Sequence, residues 1–148
     1  MSELTRGATV DPARAGEPPF ADAIVVAAGT SSRMTGLDKL DSVVGGRPLL
    51  GHALQSIAAA PEVRRIILVT SDERIQAISH ADWLPPKVEL MVRGGERRQE
   101  SVWRGFEHLL ANRPTDGGAE PAVVLIHDGA RPLVPAALVS AVARAALA

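Results

Sequence analysis

The 148-residue sequence contains no cysteine, which excludes both a disulfide scaffold and a cysteine-based zinc site. Aromatic residues make up 3% of the chain and leave few platforms on which single-stranded nucleic acid could stack. The net charge of -1 provides no basic field of the kind that attracts nucleic acid. We therefore expect no nucleic-acid partner.

No apolar run approaches the length of a membrane span, and the four histidines lie too far apart to suggest a metal site. Residues 1–21 contain no apolar segment of signal-peptide length, and the acidic Glu3 and Asp11 are unlike a transit peptide. We expect a disordered lead-in over residues 1–21, no membrane partner and a cytoplasmic protein. Residues 22–148 have the length of one domain.

Short apolar runs alternate with helical patterns along residues 22–148. We predict main strands at 24–28, 65–70, 88–92 and 122–127, a short strand at 42–44, and helices at 48–60, 73–80, 98–111 and 135–148. The helix at 98–111 would pack through one face that carries Val102, Phe106, Leu109 and Leu110. Strands that are apolar on both faces and separated by helices predict an α/β fold with a doubly wound, mainly parallel sheet. Short right-handed crossovers favour the order 3-2-1-4 for the four main strands.

The first strand runs into a small, polar and basic segment, Gly29–Lys39. A loop without bulky side chains lets backbone N–H groups approach a phosphate chain, and Arg33 and Lys39 add positive charge. The spacing matches neither the Walker A motif nor the dinucleotide-binding fingerprint. We interpret the segment as a triphosphate-binding loop; an ordinary Gly/Ser turn with solvated basic residues is the alternative.

Two further polar clusters follow the third and fourth strands. In Gly94–Val102, glycines before a helix start leave N–H groups for a base or phosphate, and the Ser101 hydroxyl can donate or accept. In His127–Pro132, Asp128 is well placed to hold Mg²⁺. The alternatives are a solvated, mixed-charge helix surface and a strand-ending Asx turn. Because the first and fourth strands would be neighbours, we expect Asp128 to face the loop after the first strand.

Together these clusters resemble the 2-C-methyl-D-erythritol 4-phosphate cytidylyltransferases, the CTP-using enzymes of the non-mevalonate isoprenoid pathway. The resemblance covers about residues 22–148. It implies a Rossmann-like nucleotidyltransferase fold and in-line transfer of the cytidylyl group from CTP to 2-C-methyl-D-erythritol 4-phosphate, which gives 4-diphosphocytidyl-2-C-methyl-D-erythritol and pyrophosphate. It rests on Ala27-Ala28-Gly29, Arg33-Met34, Lys39, Gly94–Val102, Gly105 and His127–Pro132.

The resemblance also implies a role for each residue at a matching position. Arg33 and Lys39 would be catalytic and would stabilise charge on the transferring phosphorus and the departing pyrophosphate. Asp128 would ligate Mg²⁺ or another divalent cation, and Arg131 would position the substrate phosphate. The nucleotide would be bound by Ala27, Ala28, Gly29, Thr30, Ser31, Ser32, Gly94, Gly95 and Ser101.

Two departures from the family pattern lie in the loop. Ser31 replaces a second glycine, and Asp38-Lys39-Leu40 stands where many relatives have Pro-Lys-Gln. The carboxylate of Asp38 therefore lies beside the phosphate-binding lysine, where it either weakens phosphate binding or turns outward. Relatives continue past residue 148 with a second acidic metal ligand, sugar-phosphate contacts and a dimerisation arm. We therefore expect a homodimer for the full-length enzyme, and an exposed sheet edge with an apolar face in this truncated domain. We expect the domain alone to bind CTP weakly or not at all, and to turn over no substrate.

Two other functions remain as alternatives. The loop also resembles that of molybdenum-cofactor nucleotidyltransferases, which would use GTP or CTP, although the Arg98–Val102 and His127–Pro132 motifs favour the isoprenoid enzyme. The third reading is a non-catalytic interaction domain of the same fold. Retention of Arg33, Lys39 and Asp128 argues against it.

Overall fold

The computed structural model describes residues 16–29, 38–112 and 120–148. In this part of the chain no helix is both long and apolar enough to cross a lipid bilayer. The elements are β1 Ala21–Ala27, β2 Val43–Val44, β3 Arg47–Pro48, α1 Leu49–Ala58, β4 Val63–Thr70, α2 Asp72–Ile78, β5 Val88–Arg93, α3 Arg98–Ala111, β6 Val123–Asp128 and α4 Ala136–Leu147, with a single 3-10 turn at Lys39–Asp41.

The strands β5, β4, β1 and β6 form one parallel sheet in that order. This is the predicted order 3-2-1-4, so the predicted doubly wound α/β fold is confirmed. β1 pairs with β4 on one side and with β6 on the other, and all seven of its residues are buried. Its alanine, isoleucine and valine residues suit a central strand that is covered on both faces.

Different helices cover the two faces of the sheet. On one face, Val25 of β1 belongs to the same apolar cluster as Leu54 of α1 and Val139 of α4. On the other face, Ile24 clusters with Leu109 of α3. Because successive side chains of a strand point to opposite faces, β1 contributes to both layers of the core.

Two local predictions were wrong. The helix predicted from Pro48 begins at Leu49, because Pro48 pairs with Val43 in the β2–β3 hairpin and forms the N-cap of α1. Leu110, predicted on the packed face of α3, is exposed. It lies about 100° around the helix from its buried neighbour Leu109, outside the stripe that faces the sheet.

The predicted lead-in lies mostly outside the described residues, but its last residue belongs to the sheet and the residue before it is hydrogen-bonded beside the sheet. Ala21 is the first residue of β1. The Phe20 N–H donates to the Glu62 carbonyl at 3.1 Å, and the Phe20 carbonyl accepts from the Ala122 N–H at 2.9 Å. The sheet therefore begins slightly before the boundary that we predicted.

An apolar cleft of about 630 Å³ lies beside the edge strand β6 and against α4. Ile126 of β6 is 49% exposed there, and Leu133, in the connection to α4, is 92% exposed. Leu138 and Val142 of α4 add further exposed apolar surface to the cleft. This cleft matches the exposed apolar face expected from the sequence.

An ion pair joins α4 to the amino end of the sheet. Glu62, just before β4, is buried and accepts from Arg144 Nε at 2.6 Å. Desolvation acts to raise the pKa of Glu62, but hydrogen bonds from Ser140, the backbone and Arg144, together with the charge of Arg144, outweigh it. The pKa of Glu62 is therefore held below its usual value of 4.5.

The Glu62→Gln variant should lose about 1 kcal/mol of unfolding free energy at pH 7, because a charge-assisted hydrogen bond becomes a neutral one. When the pKa of a carboxyl group is lower in the folded protein than in the unfolded chain, the group stabilises the folded protein at pH values above its unfolded-state pKa. This stabilisation is lost as the pH falls through the folded-state pKa. The difference between parent and variant should therefore shrink below pH 4.5. Urea denaturation of the parent and the variant across this pH range measures the difference, and the exposed Glu89→Gln variant is the control. A difference in unfolding free energy that does not change with pH would contradict the lowered pKa of Glu62.

Candidate functional site

The carboxyl ends of the neighbouring strands β1 and β6 open into a pocket of about 300 Å³, here called the polar pocket. Ligands of open α/β sheets bind in the crevice at such a topological switch point. The three sequence clusters meet here. The strand order predicted this for the loop after β1 and for Asp128, and the structure adds the loop before α3. The pocket is lined by Val26, Ala27, Gly29, Asp38, Lys39, Leu40, Gly95, Glu96, Arg97, Arg98, Ser101, Asp128 and Ala130.

The predicted site residues fall into four groups, one of which, Ala28 and Gly94, lies beside the pocket without lining it. Those that line the polar pocket are Ala27, Gly29, Lys39, Gly95, Ser101 and Asp128. Arg131 lines the apolar cleft instead. Thr30, Ser31, Ser32 and Arg33 lie outside the described residues.

Ala28 and Gly94 pack against each other at the carboxyl end of the sheet, next to the pocket. The Gly94 N–H continues the sheet by donating to the Thr70 carbonyl at 2.9 Å. A Cβ placed on Gly94 would lie 2.2 Å from the Ala28 Cβ and 2.8 Å from Ser101 Oγ. The glycine is therefore required for the close approach of this loop to the end of β1.

Two side chains in the first turn of α3 hold the loop that precedes it. Ser101 Oγ accepts from the Gly95 N–H at 3.1 Å, and Glu100 Oε2 accepts from the Glu96 N–H at 3.0 Å. Ser101 is 1% exposed, so its hydroxyl shapes the loop from inside. The sequence predicted that the N–H groups of Gly94 and Gly95 are left for a ligand, which is wrong for this structure, because both are paired within the protein. Glu100, interpreted from the sequence as part of a solvated surface, also has this structural contact.

Asp128 is half-buried at the end of β6 and lines the polar pocket. Its Oδ1 accepts from the Ala130 N–H at 3.1 Å, which is the Asx turn considered as the alternative. The Gly129 N–H donates to the Val26 carbonyl at 2.9 Å and ties this turn to β1. The turn thus holds the carboxylate at the pocket wall, and the structural and ligand-binding interpretations are compatible.

A buried arginine that the sequence analysis did not single out lies beside the pocket. Arg74 of α2 donates to the Ala27 carbonyl at 3.1 Å, to Thr70 Oγ1 at 3.2 Å, to both carboxylate oxygens of Asp41 at 3.2 Å, and to Asp38. Burial acts to lower the pKa of Arg74, but the bonds to Asp41 and Asp38 outweigh it and raise the pKa. The only sequence signal for this cluster is the pair of carboxylates flanking Lys39.

Two aspartates that line the polar pocket, Asp38 and Asp128, differ in their bonding partners. Asp38 is bound to Arg74, whereas Asp128 presents its carboxylate at the pocket wall. In the described ranges no three His, Cys, Asp or Glu side chains are grouped so as to hold a metal ion. Mg²⁺ is commonly held by one or two carboxylates together with substrate phosphates and water. One aspartate therefore fits a metal ion that is also bound by a phosphate chain.

Comparison with known proteins identifies relatives over the same residues. The sequence model of the family described as IspD, 2-C-methyl-D-erythritol 4-phosphate cytidylyltransferase, matches residues 21–148. The bifunctional enzyme IspD/IspF of Desulforudis audaxviator is 40% identical over 134 residues, which are 84% of this chain and 30% of that protein. The 2-C-methyl-D-erythritol 4-phosphate cytidylyltransferase of Dehalococcoides mccartyi strain 195 is 38% identical over 114 residues, 76% of this chain and 46% of that protein.

A solved structure supports the same relationship. The 4-diphosphocytidyl-2C-methyl-D-erythritol synthase of Anaerococcus prevotii is 30% identical and has a TM-score of 0.64 to this chain. The match covers 86% of this chain and 51% of that one. The chain thus spans about half the length of the single-function relatives it matches, and less of the bifunctional one.

Gly94→Ala should lower the free energy of unfolding by about 1–3 kcal/mol, because the added methyl group overlaps the Ala28 side chain. Gly29→Ala is the matched control, since a Cβ at Gly29 meets no atom of the described residues within 4 Å. Urea denaturation of both variants measures the difference. Equal stability of the two variants would contradict the close approach of Gly94 to β1.

Proposed function

The chain belongs to the 2-C-methyl-D-erythritol 4-phosphate cytidylyltransferase family, and on that premise we propose that it forms the CTP-binding part of such an enzyme. The reaction would transfer the cytidylyl group of CTP to 2-C-methyl-D-erythritol 4-phosphate and release pyrophosphate, within isoprenoid precursor biosynthesis. One observation supports the proposal above all: the polar pocket collects Gly29, Lys39 and Asp128 at the carboxyl ends of two neighbouring strands.

In this proposal the triphosphate lies along the loop after β1 and the base contacts the loop before α3. Lys39 provides a movable positive charge for the phosphates, and Arg33 provides a planar fork. Backbone N–H groups bind the remaining phosphate oxygens. The residues proposed to bind the nucleotide are Ala27, Ala28, Gly29, Thr30, Ser31, Ser32, Gly94, Gly95 and Ser101.

The chemistry proposed for this site needs no covalent intermediate. The phosphate of the acceptor is already ionised near neutral pH, so it can attack the α-phosphorus of CTP without a strong general base. Lys39 and Arg33 would stabilise the charge on the transferring phosphorus and on the departing pyrophosphate. Asp128 would hold Mg²⁺, which supplies further neutralisation of phosphate charge. Catalysis would come from positioning and charge stabilisation.

The acceptor would approach from the side of the apolar cleft. Arg131 lies there, close in sequence to Asp128, and its guanidinium can bind a phosphate through two parallel hydrogen bonds. We propose this residue as the one that positions the acceptor phosphate. We also propose a cytoplasmic homodimer for the full-length enzyme, as the family resemblance implies.

Isothermal titration of the 148-residue chain with CTP and Mg²⁺ tests the nucleotide assignment. Lys39→Ala should weaken binding by about tenfold or more, because a charge-assisted contact with phosphate is lost. Lys87→Ala is the control: Lys87 is the only other lysine, and it donates to the Ala60 carbonyl near the opposite end of the sheet. Asp128→Asn should reduce the effect of Mg²⁺ on CTP affinity.

The same titration separates the alternatives. Preference for CTP over GTP supports the proposal, whereas preference for GTP would favour a molybdenum-cofactor nucleotidyltransferase. Failure of both the folded chain and the full-length enzyme to bind either nucleotide would contradict the proposed CTP site. Turnover of CTP with 2-C-methyl-D-erythritol 4-phosphate should require the full-length enzyme, and rapid turnover by the chain alone would contradict that expectation.

A further inference from the structure

Lys39 lies on a single 3-10 turn, Lys39–Asp41, which the core holds from one side. Leu40 is buried and belongs to the same apolar cluster as Leu50 of α1. Asp38 caps the turn by accepting the Leu40 N–H at 3.1 Å, and its carbonyl accepts the Asp41 N–H at 3.0 Å. One short turn therefore determines where the backbone of Lys39 sits at the pocket.

Arg74 holds the same turn from the other side. Its guanidinium binds the carboxylates of Asp38 and Asp41, the residues on either side of Lys39-Leu40. The same group also donates to the Ala27 carbonyl and to Thr70 Oγ1, at the carboxyl ends of β1 and β4. A planar side chain that is 8% exposed thus connects the turn directly to the sheet.

We propose that Arg74 is a positioning residue, which fixes the turn carrying Lys39 in register with the carboxyl ends of β1 and β4 and so sets where Lys39 meets the triphosphate. The inference rests on the proposed function, because it assigns the held lysine to a phosphate chain. Arg74 itself acts through the turn.

Charge adds a second part to this role. Asp38 and Asp41 place two carboxylates next to a lysine that is to bind a triphosphate, and unpaired they would repel the ligand. Arg74 compensates part of this charge and keeps both carboxylates turned to α2. A lysine at this position would keep the charge but lose the fork that reaches both carboxylates and the two strand ends at once.

Hydrogen exchange of the chain without nucleotide tests the positioning directly. In Arg74→Lys, the amides of Leu40, Asp41 and Ser42 should exchange about tenfold faster, because the turn opens locally. Arg144→Lys is the matched control, since it weakens another arginine–carboxylate pair at the opposite end of the sheet. Once the exchange rates are corrected for the global free energy of unfolding, Arg144→Lys should leave the rates of these three amides unchanged. Asp41→Asn, a milder change, should give a smaller acceleration.

Nucleotide titration tests whether the effect reaches the ligand through Lys39. Arg74→Lys should lower the preference for CTP over CMP by about tenfold, and in the Lys39→Ala background the same change should have little further effect. If the effects of Arg74→Lys and Lys39→Ala on the CTP preference were additive, Arg74 would have a merely structural role and the proposal would be overturned. An equal loss of CTP preference in Arg144→Lys would overturn it in the same way.

The two proposals fail separately. If neither the parent chain nor the full-length enzyme binds CTP, the proposed function fails, while the exchange rates still decide whether Arg74 holds the turn. If Arg74→Lys leaves the three amides as protected as in the parent, the positioning role is overturned even where CTP binds.

Discussion

The requirement that buried backbone groups be paired makes β1 the strand on which the structure depends. Its seven residues are buried, and its two edges pair with β4 and β6, so no part of this strand can rely on water for hydrogen bonds. Both helix layers pack on its side chains. The parallel direction of the three strands then brings their carboxyl ends together, and the polar pocket forms at that edge.

The strand order was predictable because it follows from local patterns and a general rule. Apolar runs indicated the strands, and right-handed crossovers left few arrangements of them. The charge pairs were not predictable in this way. Asp22 lies inside β1 and is fully buried, and only the fold brings Arg64 and Arg65 to it from more than 40 residues away. The predicted first strand, residues 24–28, does not include Asp22.

The candidate site likewise contains residues whose proximity could be predicted from the sequence and one residue whose position could not. Gly29, Lys39 and Asp128 could be placed together from topology, because each follows or adjoins a strand end. Arg74 could not, since three of its four partners lie 33 to 47 residues away along the chain. Asp38, expected from the sequence either to weaken phosphate binding or to turn outward, is bound by Arg74.

The apolar cleft beside β6 affects how the stability of this chain varies with temperature. Apolar surface that is already hydrated in the folded state contributes nothing to the heat capacity of unfolding, which rises by about 0.45 cal/mol/K for each Å² newly exposed. The exposed side chains of Ile126 and Leu133 belong to this surface. A smaller heat capacity change of unfolding makes the free energy of unfolding vary less steeply with temperature. Covering the cleft in the folded state would therefore make this free energy vary more steeply with temperature.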